Sequence, residues 1–303
     1  VVRIGVVFGG DGEERDISRA SARQVVPALR SRGHDVAEVE LETGRALELP
    51  GRLAGVDVAF LALHGDSGEN GEIQALLGLA GIPYTGSSPL ASGLAMDKDV
   101  AKRLFHAAGI RTPDWMMGPA DPDRVLYRLE LPLVVKPKSQ GSTVGLSLVN
   151  APGELDEAIA VAARYGDVMF EQFIAGRELT VGVLDGRALT VGEVKIDPDT
   201  TFGYDDKYRV GAVEEVFPAD LPLPVADDAR QTALTAHRCL GLGSYSRSDF
   251  RLDRHGRLWL IEVNALPGLT ETSLMPQSAT ASDIDFPLLC ERICELALRA
   301  HAA

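Results

Sequence analysis

The sequence has little of the chemistry that marks several large protein classes. It holds three cysteines in 303 residues, Cys239, Cys290 and Cys294. An odd and sparse set cannot build a disulfide framework, and the compartment it implies is the cytoplasm. Cys290 and Cys294 stand four apart in a helical pattern and read as neighbours on one buried face. Basic residues are also short, with 30 Lys and Arg against 44 Asp and Glu and a formal net charge of -14. Such a chain lacks the basic footprint of a phosphate-backbone binder, so nucleic acid is not an expected partner. A small anion is not excluded, because a few local cations can hold one inside an acidic protein. No apolar run approaches the ~20 residues of a membrane span, so no membrane partner is expected. The opening run from Val1 to Phe8 passes straight into Gly9-Gly10 and reads as a strand, not a signal peptide. Internal repeats, low-complexity tracts and extended linkers are missing as well.

What is present is ordinary for a globular chain: 45% hydrophobic and 24% charged residues, enough to bury a large core in one to three domains. The first part alternates strand and helix. Strands are expected over 3–8, 35–41 and 56–63, with a helix over 18–29 in which Ala22, Val25, Val26 and Leu29 recur at helical spacing. The nearly unbroken apolar run at 56–63 suits a parallel strand covered on both faces. His64-Gly65-Asp66-Ser67-Gly68-Glu69-Asn70-Gly71 follows as an ordered loop at a strand's carboxyl end, where open α/β sheets bind ligands. Met96-Asp97-Lys98 is expected inside one helix. Further strands are expected over 131–137, 146–149 and 168–171, with a helix over 154–164. A long polar loop spans 197–214, and an amphipathic helix spans 286–299.

Two stretches carry chemistry. Gly141-Ser142-Thr143-Val144-Gly145 lies between apolar runs, with Lys136 just before it. A strand-loop-strand with bare amides can close over phosphates. It is neither a P-loop, since no G-x-x-x-x-G-K-[ST] occurs, nor a dinucleotide fingerprint, since Gly9-Gly10 lacks the G-x-G-x-x-G spacing. Alone it also reads as a hairpin turn. The second stretch is a hairpin, Tyr245-Ser246-Arg247-Ser248-Asp249-Phe250 followed by Leu258-Trp259-Leu260-Ile261-Glu262-Val263-Asn264. The two-residue period puts Arg247 with Asp249, and Glu262 with Asn264, on one face. Oxygen ligands from adjacent strands are what Mg²⁺ prefers. Apolar neighbours on both sides bury this hairpin, so its polar groups need partners.

Together these segments resemble the ATP-grasp fold, and over essentially the whole chain they resemble D-alanine–D-alanine ligases. The resemblance rests on order and spacing. It runs through Gly9-Gly10 with Glu14-Arg15-Asp16-Ile17-Ser18, His64-Gly65 with Gly68-Glu69-Asn70-Gly71, Tyr84-Thr85-Gly86-Ser87 and Met96-Asp97-Lys98. It continues through Lys136-Pro137, the glycine loop, Lys207-Tyr208, Arg247 with Asp249, Glu262 with Asn264, Pro267-Gly268 and Ser273-Leu274. The implied fold is α/β: an N-terminal open parallel-sheet domain (1–86), then two ATP-grasp domains (87–176 and 177–303) that clamp ATP between them.

The resemblance also implies roles. Lys98 and Lys136 neutralise the ATP phosphates, the loop around Ser142 covers them, and Lys207 at the lid tip joins the ATP contacts. Glu171 and the backbone near Phe173 and Ile174 read the adenine, Glu178 binds the ribose, and Ile261 completes the nucleotide pocket. Asp249, Glu262 and Asn264 hold two Mg²⁺, with Mn²⁺ as the alternative. Glu14 pairs with the ammonium group of the first D-alanine, near His64. Arg247 and the Gly268 amide face the oxyanion of the second chemical step. Ser273 and Leu274 receive the carboxylate of the second D-alanine. Tyr208, on the lid formed by the polar loop, bonds back toward Ser142 and Glu14. A homodimer is the expected assembly, and D-alanine and ATP are the expected small-molecule partners. Taken singly, several of these residues have plainer readings. Lys98 suits a helix surface, Lys136 an edge strand, Glu14 a helix start and His64 a structural histidine.

The chain departs from the family pattern at Gly9-Gly10-Asp11-Gly12-Glu13, where small hydroxyl residues are common. It also has a lid one residue shorter and no threonine after Asn264. These departures leave open a carboxylate–amine ligase with another second substrate, such as D-serine, D-lactate or a specialised-metabolite precursor. Lys207-Tyr208 argues against the D-lactate form. A nucleotide-binding scaffold without catalysis would predict gaps among Arg247, Asp249, Glu262 and Asn264, and none is missing.

Overall fold

The computed structural model describes residues 1–11, 14–200 and 214–302. Lys207, Tyr208 and most of the expected lid lie outside the described residues.

Three sheets organise the chain. The first is parallel, in the order β2-β1-β3, with β1 at Arg3–Gly9, β2 at Asp35–Leu41 and β3 at Val58–Leu61. All four residues of β3 are buried, as a doubly covered strand requires. The helix Arg15–Ser31 packs on this sheet through Ala22, Val25, Val26 and Leu29. The second sheet is antiparallel, in the order β4-β7-β5-β6, from Trp115–Met117 (β4), Leu133–Pro137 (β5), Ser147–Val149 (β6) and Val168–Gln172 (β7). Leu133, Val135 and Phe170 join a core under the helices Pro122–Leu129 and Leu155–Ala162. By the strand period, Val134, Lys136 and Glu171 point to the opposite face. The third sheet is antiparallel, in the order β10-β9-β8-β11-β12. Its strands are Arg177–Leu184 (β8), Arg187–Lys195 (β9), Glu214–Val216 (β10), Tyr245–Leu252 (β11) and Leu258–Asn264 (β12). The helix Leu223–Cys239 covers one face, presenting Ala229, Ala233 and Ala236 to Val181, Val183 and Phe250.

The cores cut across the division at 86 and 176. The helices Pro89–Met96 and Lys98–Ala107 give Ala91, Ala95, Ala101 and Phe105 to the core of the third sheet. The last helix, Phe286–Ala302, returns to the first sheet and joins its core through Leu289, Cys290, Ile293 and Cys294. Each end of the chain is thus stitched to a distant segment.

Two local expectations are corrected. The glycine-rich stretch after His64 is not all loop, because Asp66–Glu69 forms a helical turn. Gly65 and Gly71 take the left-handed backbone at its two ends, and Gly68 packs where a Cβ would come within 2.7 Å of Leu63. Met96-Asp97-Lys98 is not one helix. The first helix stops at Met96, Asp97 is extended at φ -81° and ψ 96°, and its carboxylate accepts the Val100 amide at 3.1 Å to start the next.

Candidate active site

A cavity of about 930 Å³ opens where the three sheets meet. All the residues given a catalytic, nucleotide, substrate or metal role from the sequence that lie in the described chain line it, from Glu14 and His64 to Ser273 and Leu274. Such convergence is not a property of sequence spacing, since these residues come from eight or more separate segments.

The basic wall comes from the second sheet and the helix Lys98–Ala107. Lys136 Nζ lies 2.6 Å from Glu171 Oε1, and Lys102 Nζ lies 2.7 Å from Glu171 Oε2. Burial pushes the Glu171 carboxyl up, but the two lysines outweigh it and hold it below its ordinary value. Glu171, expected to read the adenine, lines the cavity with a carboxylate already engaged by two ammonium groups. Lys98 opens its helix, donates to the Gln140 carbonyl at 2.6 Å and stands 3.5 Å from Glu262 Oε2. The phosphate-loop candidate turns sharply: Ser142 and Thr143 have φ of 47° and 61°, and Gly145 has φ of 71°. Non-glycine residues rarely adopt this conformation, and they cluster at ligand clamps when they do.

The acidic hairpin faces the basic wall. Asp249 sits directly opposite Glu262, and Arg247 opposite Asn264. Arg247 forks onto Asp249, with Nε 2.9 Å from Oδ1 and Nη2 2.7 Å from Oδ2. Thr180 Oγ1 and Asn264 Nδ2 also donate to that carboxylate, at 2.8 and 3.0 Å. A bulge follows Asp249 in this ladder, a device that aims side chains beside sites.

The first sheet closes the third side. Glu14 is buried, and its carboxylate accepts the Ser142 hydroxyl, joining the first loop to the glycine loop. Gly65 and Gly141 leave it room, since a Cβ on either would lie 2.6 and 3.2 Å from Glu14 Oε2. His64 is also buried, with Nε2 3.0 Å from Ser21 Oγ and Nδ1 3.6 Å from Glu69. At the far end, Gly268 lies against Ser273, whose hydroxyl a Cβ would approach to 2.9 Å. Ser273 Oγ accepts the Thr270 amide at 3.2 Å, and Ser273 stands just before the helix Leu274–Thr280, whose first residue is buried. At the adenine end, Phe173, Ile174, Glu178 and Ile261 line the wall.

Sequence reasoning missed three residues. Arg251 is buried, bonds the Gly176 carbonyl at 2.9 Å, and stands 3.6 Å from Glu178 and 5.4 Å from the Phe173 ring. Its signal was the two-residue period from Arg247 through Asp249. Lys102 sits one helical turn after Lys98, a spacing that put both on one side of the helix. Glu215 lines the cavity and accepts a hydrogen bond from Gln277, and burial pushes its carboxyl up. It stood at the edge of the loop read as a lid, and nothing in that stretch set it apart.

One parallel sheet leading two antiparallel sheets, whose facing sides hold lysines and acids around one cavity, defines an ATP-grasp ligase. Residues 37–87 match the family model described as D-ala D-ala ligase N-terminus, and residues 103–295 match D-ala D-ala ligase C-terminus. The D-alanine–D-alanine ligase of Acidiphilium cryptum is 43% identical over 97% of this chain and 97% of its own. That of Geobacter sulfurreducens is 42% identical over 99% and 96%. The crystal structure of the Bacillus anthracis D-alanine–D-alanine ligase complexed with ATP superposes with a TM-score of 0.87 at 30% identity, covering 100% of this chain and 99% of that one. The chain belongs to the D-alanine–D-alanine ligase family.

Proposed function

We propose that the protein joins two D-alanines at the expense of ATP, supplying D-alanyl-D-alanine for peptidoglycan precursors in the cytoplasm. The convergence of the family's motif residues on one cavity carries this reading. The carboxylate of the first D-alanine attacks the γ-phosphate, giving D-alanyl phosphate and ADP. The amine of the second D-alanine attacks the acyl carbon, a proton is lost, and phosphate leaves. No covalent link to the protein is needed; positioning and charge neutralisation suffice.

Each wall then has a task. Lys98 and Lys136 face the phosphates, with Lys207 added from the lid, and the loop at Ser142 covers them. Phe173, Ile174, Glu178 and Ile261 hold adenosine, Glu171 supporting that end. Glu14, with His64 behind it, holds the first ammonium group. Arg247 and the Gly268 amide stabilise the oxyanion, Ser273 and Leu274 take the second carboxylate, and Tyr208 closes the lid. Asp249 and the facing Glu262, with the side-chain oxygen of Asn264 two residues further along the same strand, offer oxygen donors, which suits Mg²⁺ or Mn²⁺, and these residues would hold a pair of ions. When bound, the ions neutralise the β- and γ-phosphates. Lys98 and Arg247, now beside these acids, are placed to turn to phosphate and oxyanion.

One observation favours a rival second substrate. Glu215 and Gln277 add polar groups to the wall that holds Ser273, more than a methyl side chain uses. ADP release with ATP, Mg²⁺ and a panel of D- and L-amino acids, with mass spectrometry of the product, decides. Release that needs D-alanine and yields D-alanyl-D-alanine supports the reading. Preference for another D-amino acid moves the second substrate. A homodimer is proposed as the assembly, as for the family, and the exposed Leu79 and Leu90 are large apolar side chains available to it. Light scattering at twice the mass of 32.4 kDa is the expected result. No described helix is long and apolar enough to cross a membrane.

A further inference from the structure

Lys102 is a buried lysine that the reaction does not use. It is 1% exposed, and although it shares a helix with Lys98 it does not line the cavity. Its Nζ donates to Thr112 Oγ1 at 2.5 Å and to the Pro113 carbonyl at 3.0 Å, and lies 5.3 Å from the Trp115 ring centre. The third direction is the ion pair with Glu171 at 2.7 Å. Two of the three ammonium donors are used by Thr112 and Pro113, and the contact with Glu171 is an ion pair and not an aligned hydrogen bond. Glu171 gives its other oxygen to Lys136, which does line the cavity.

The charge balance of this set is unusual. Two ammonium groups around one carboxylate give this buried triad one unit of net positive charge, which Asp114, an exposed and weaker partner of Lys102, opposes only in part. Burying a second cation is costly, and a neutral Lys136–Glu171 pair would cost less. The neutral pair would also do less. Glu171 would direct its whole charge at Lys136 and cancel the field that an entering anion meets. With Lys102 behind it, Glu171 is shared, and the uncompensated charge faces the cavity through Lys136.

We infer that Lys102 is a positioning residue for the nucleotide: through Glu171 it sets Lys136 in place and keeps the site positive toward the phosphates of ATP. The inference rests on the reading of the cavity as a nucleotide site. The charged groups facing Lys102 are Glu171 from β7, Lys136 from β5 and Asp114 from the segment before β4. Burial pulls the ammonium down to about 8, with Lys136 adding to it and Glu171 and Asp114 opposing. Its proton is therefore held at neutral pH and lost as pH rises through about 8 in the free enzyme. Loss leaves the neutral pair.

The test uses the full chain, titrated with a non-hydrolysable ATP analogue and Mg²⁺, and then assayed for ADP release. Lys102→Met should weaken analogue binding and raise KM for ATP about tenfold, the scale of one charged contact, with kcat and KM for D-alanine within about threefold. Wild-type kcat/KM for ATP should fall above a pH of about 8. That limb should vanish in Lys102→Met and move upward in Lys102→Arg, which should keep ATP affinity. A structural role alone would lower Tm and leave the limb in place. Folded Lys102→Met with wild-type affinity and the same alkaline limb overturns the inference. If Lys102→Met does not fold, an unmoved limb in Lys102→Arg overturns it. Analogue binding needs no D-alanine, so it is independent of the amino-acid substrate. Failure of the wild type to bind the analogue would instead sink the nucleotide reading.

Discussion

Glu14 sits at the start of the helix Arg15–Ser31, yet its side chain makes no cap there. It turns instead into the cavity, between two glycines and the Ser142 hydroxyl. A buried carboxylate held this way suits the ammonium group proposed for it. Glu14→Gln keeps its shape and removes its charge. KM for the first D-alanine should rise about 10- to 100-fold, the cost of one charged hydrogen bond, while KM for ATP stays within about threefold. Steady-state kinetics against each substrate separate the two. A KM for D-alanine that does not move would leave Glu14 a purely structural acid. The charged pairs of the β11–β12 hairpin were legible because strand alternation is strict, and Arg247, Asp249, Glu262 and Asn264 had to share faces. Spacing could place Lys102 beside Lys98 and Arg251 beside Asp249, but it could not show that they, or Glu215, matter. Their importance comes from contacts with Glu171, Glu178 and Gln277, which lie on other elements and have no local signature.

Among the elements, the break at Asp97 matters most for the site. It ends one helix, caps the next, and so aims Lys98 and Lys102 from the first two turns of Lys98–Ala107. Asp97 also pairs with Lys138 at 3.1 Å, tying the cap to the base of the glycine loop. Asp97→Ala should cost about 1 kcal/mol, the usual worth of an N-cap. It should also raise KM for ATP severalfold, because both lysines depend on the helix start. Denaturant unfolding reads the first effect and nucleotide kinetics the second; lost stability with unchanged KM would show that the lysines are held from elsewhere. The apolar strands β1, β3 and β5 were legible from their composition. The helix Leu223–Cys239 was not. It meets its sheet mainly through alanines, which pack closely but draw no stripe of large apolar residues in the sequence.

At the scale of the whole molecule, the last helix decides how the parts are coupled. Phe286–Ala302 leaves the third sheet's segment and packs on the first, so the N-terminal sheet cannot be freed without moving the C-terminus. Cys290 and Cys294 report on that packing. They are 0% and 2% exposed, and burial pushes both thiols up, so neither forms thiolate in the native state near neutral pH. Cys239 is only partly buried, though its thiol is also pushed up. A disulfide exchange reagent should therefore count at most one fast thiol in the native protein and two slow ones. The slow rate measures opening of the terminal helix. The proposed ATP and D-alanine sites draw on all three sheets, so if the helix opens only with the whole molecule, ligand at 100 times Kd adds about 2.7 kcal/mol to the opening cost. The slow thiols should then react about a hundredfold more slowly with ligands present. If the slow rate is the same with and without ligands, the helix peels away locally. In that case the long-range stitch holds the N-terminal sheet in place but does not transmit the state of the active site.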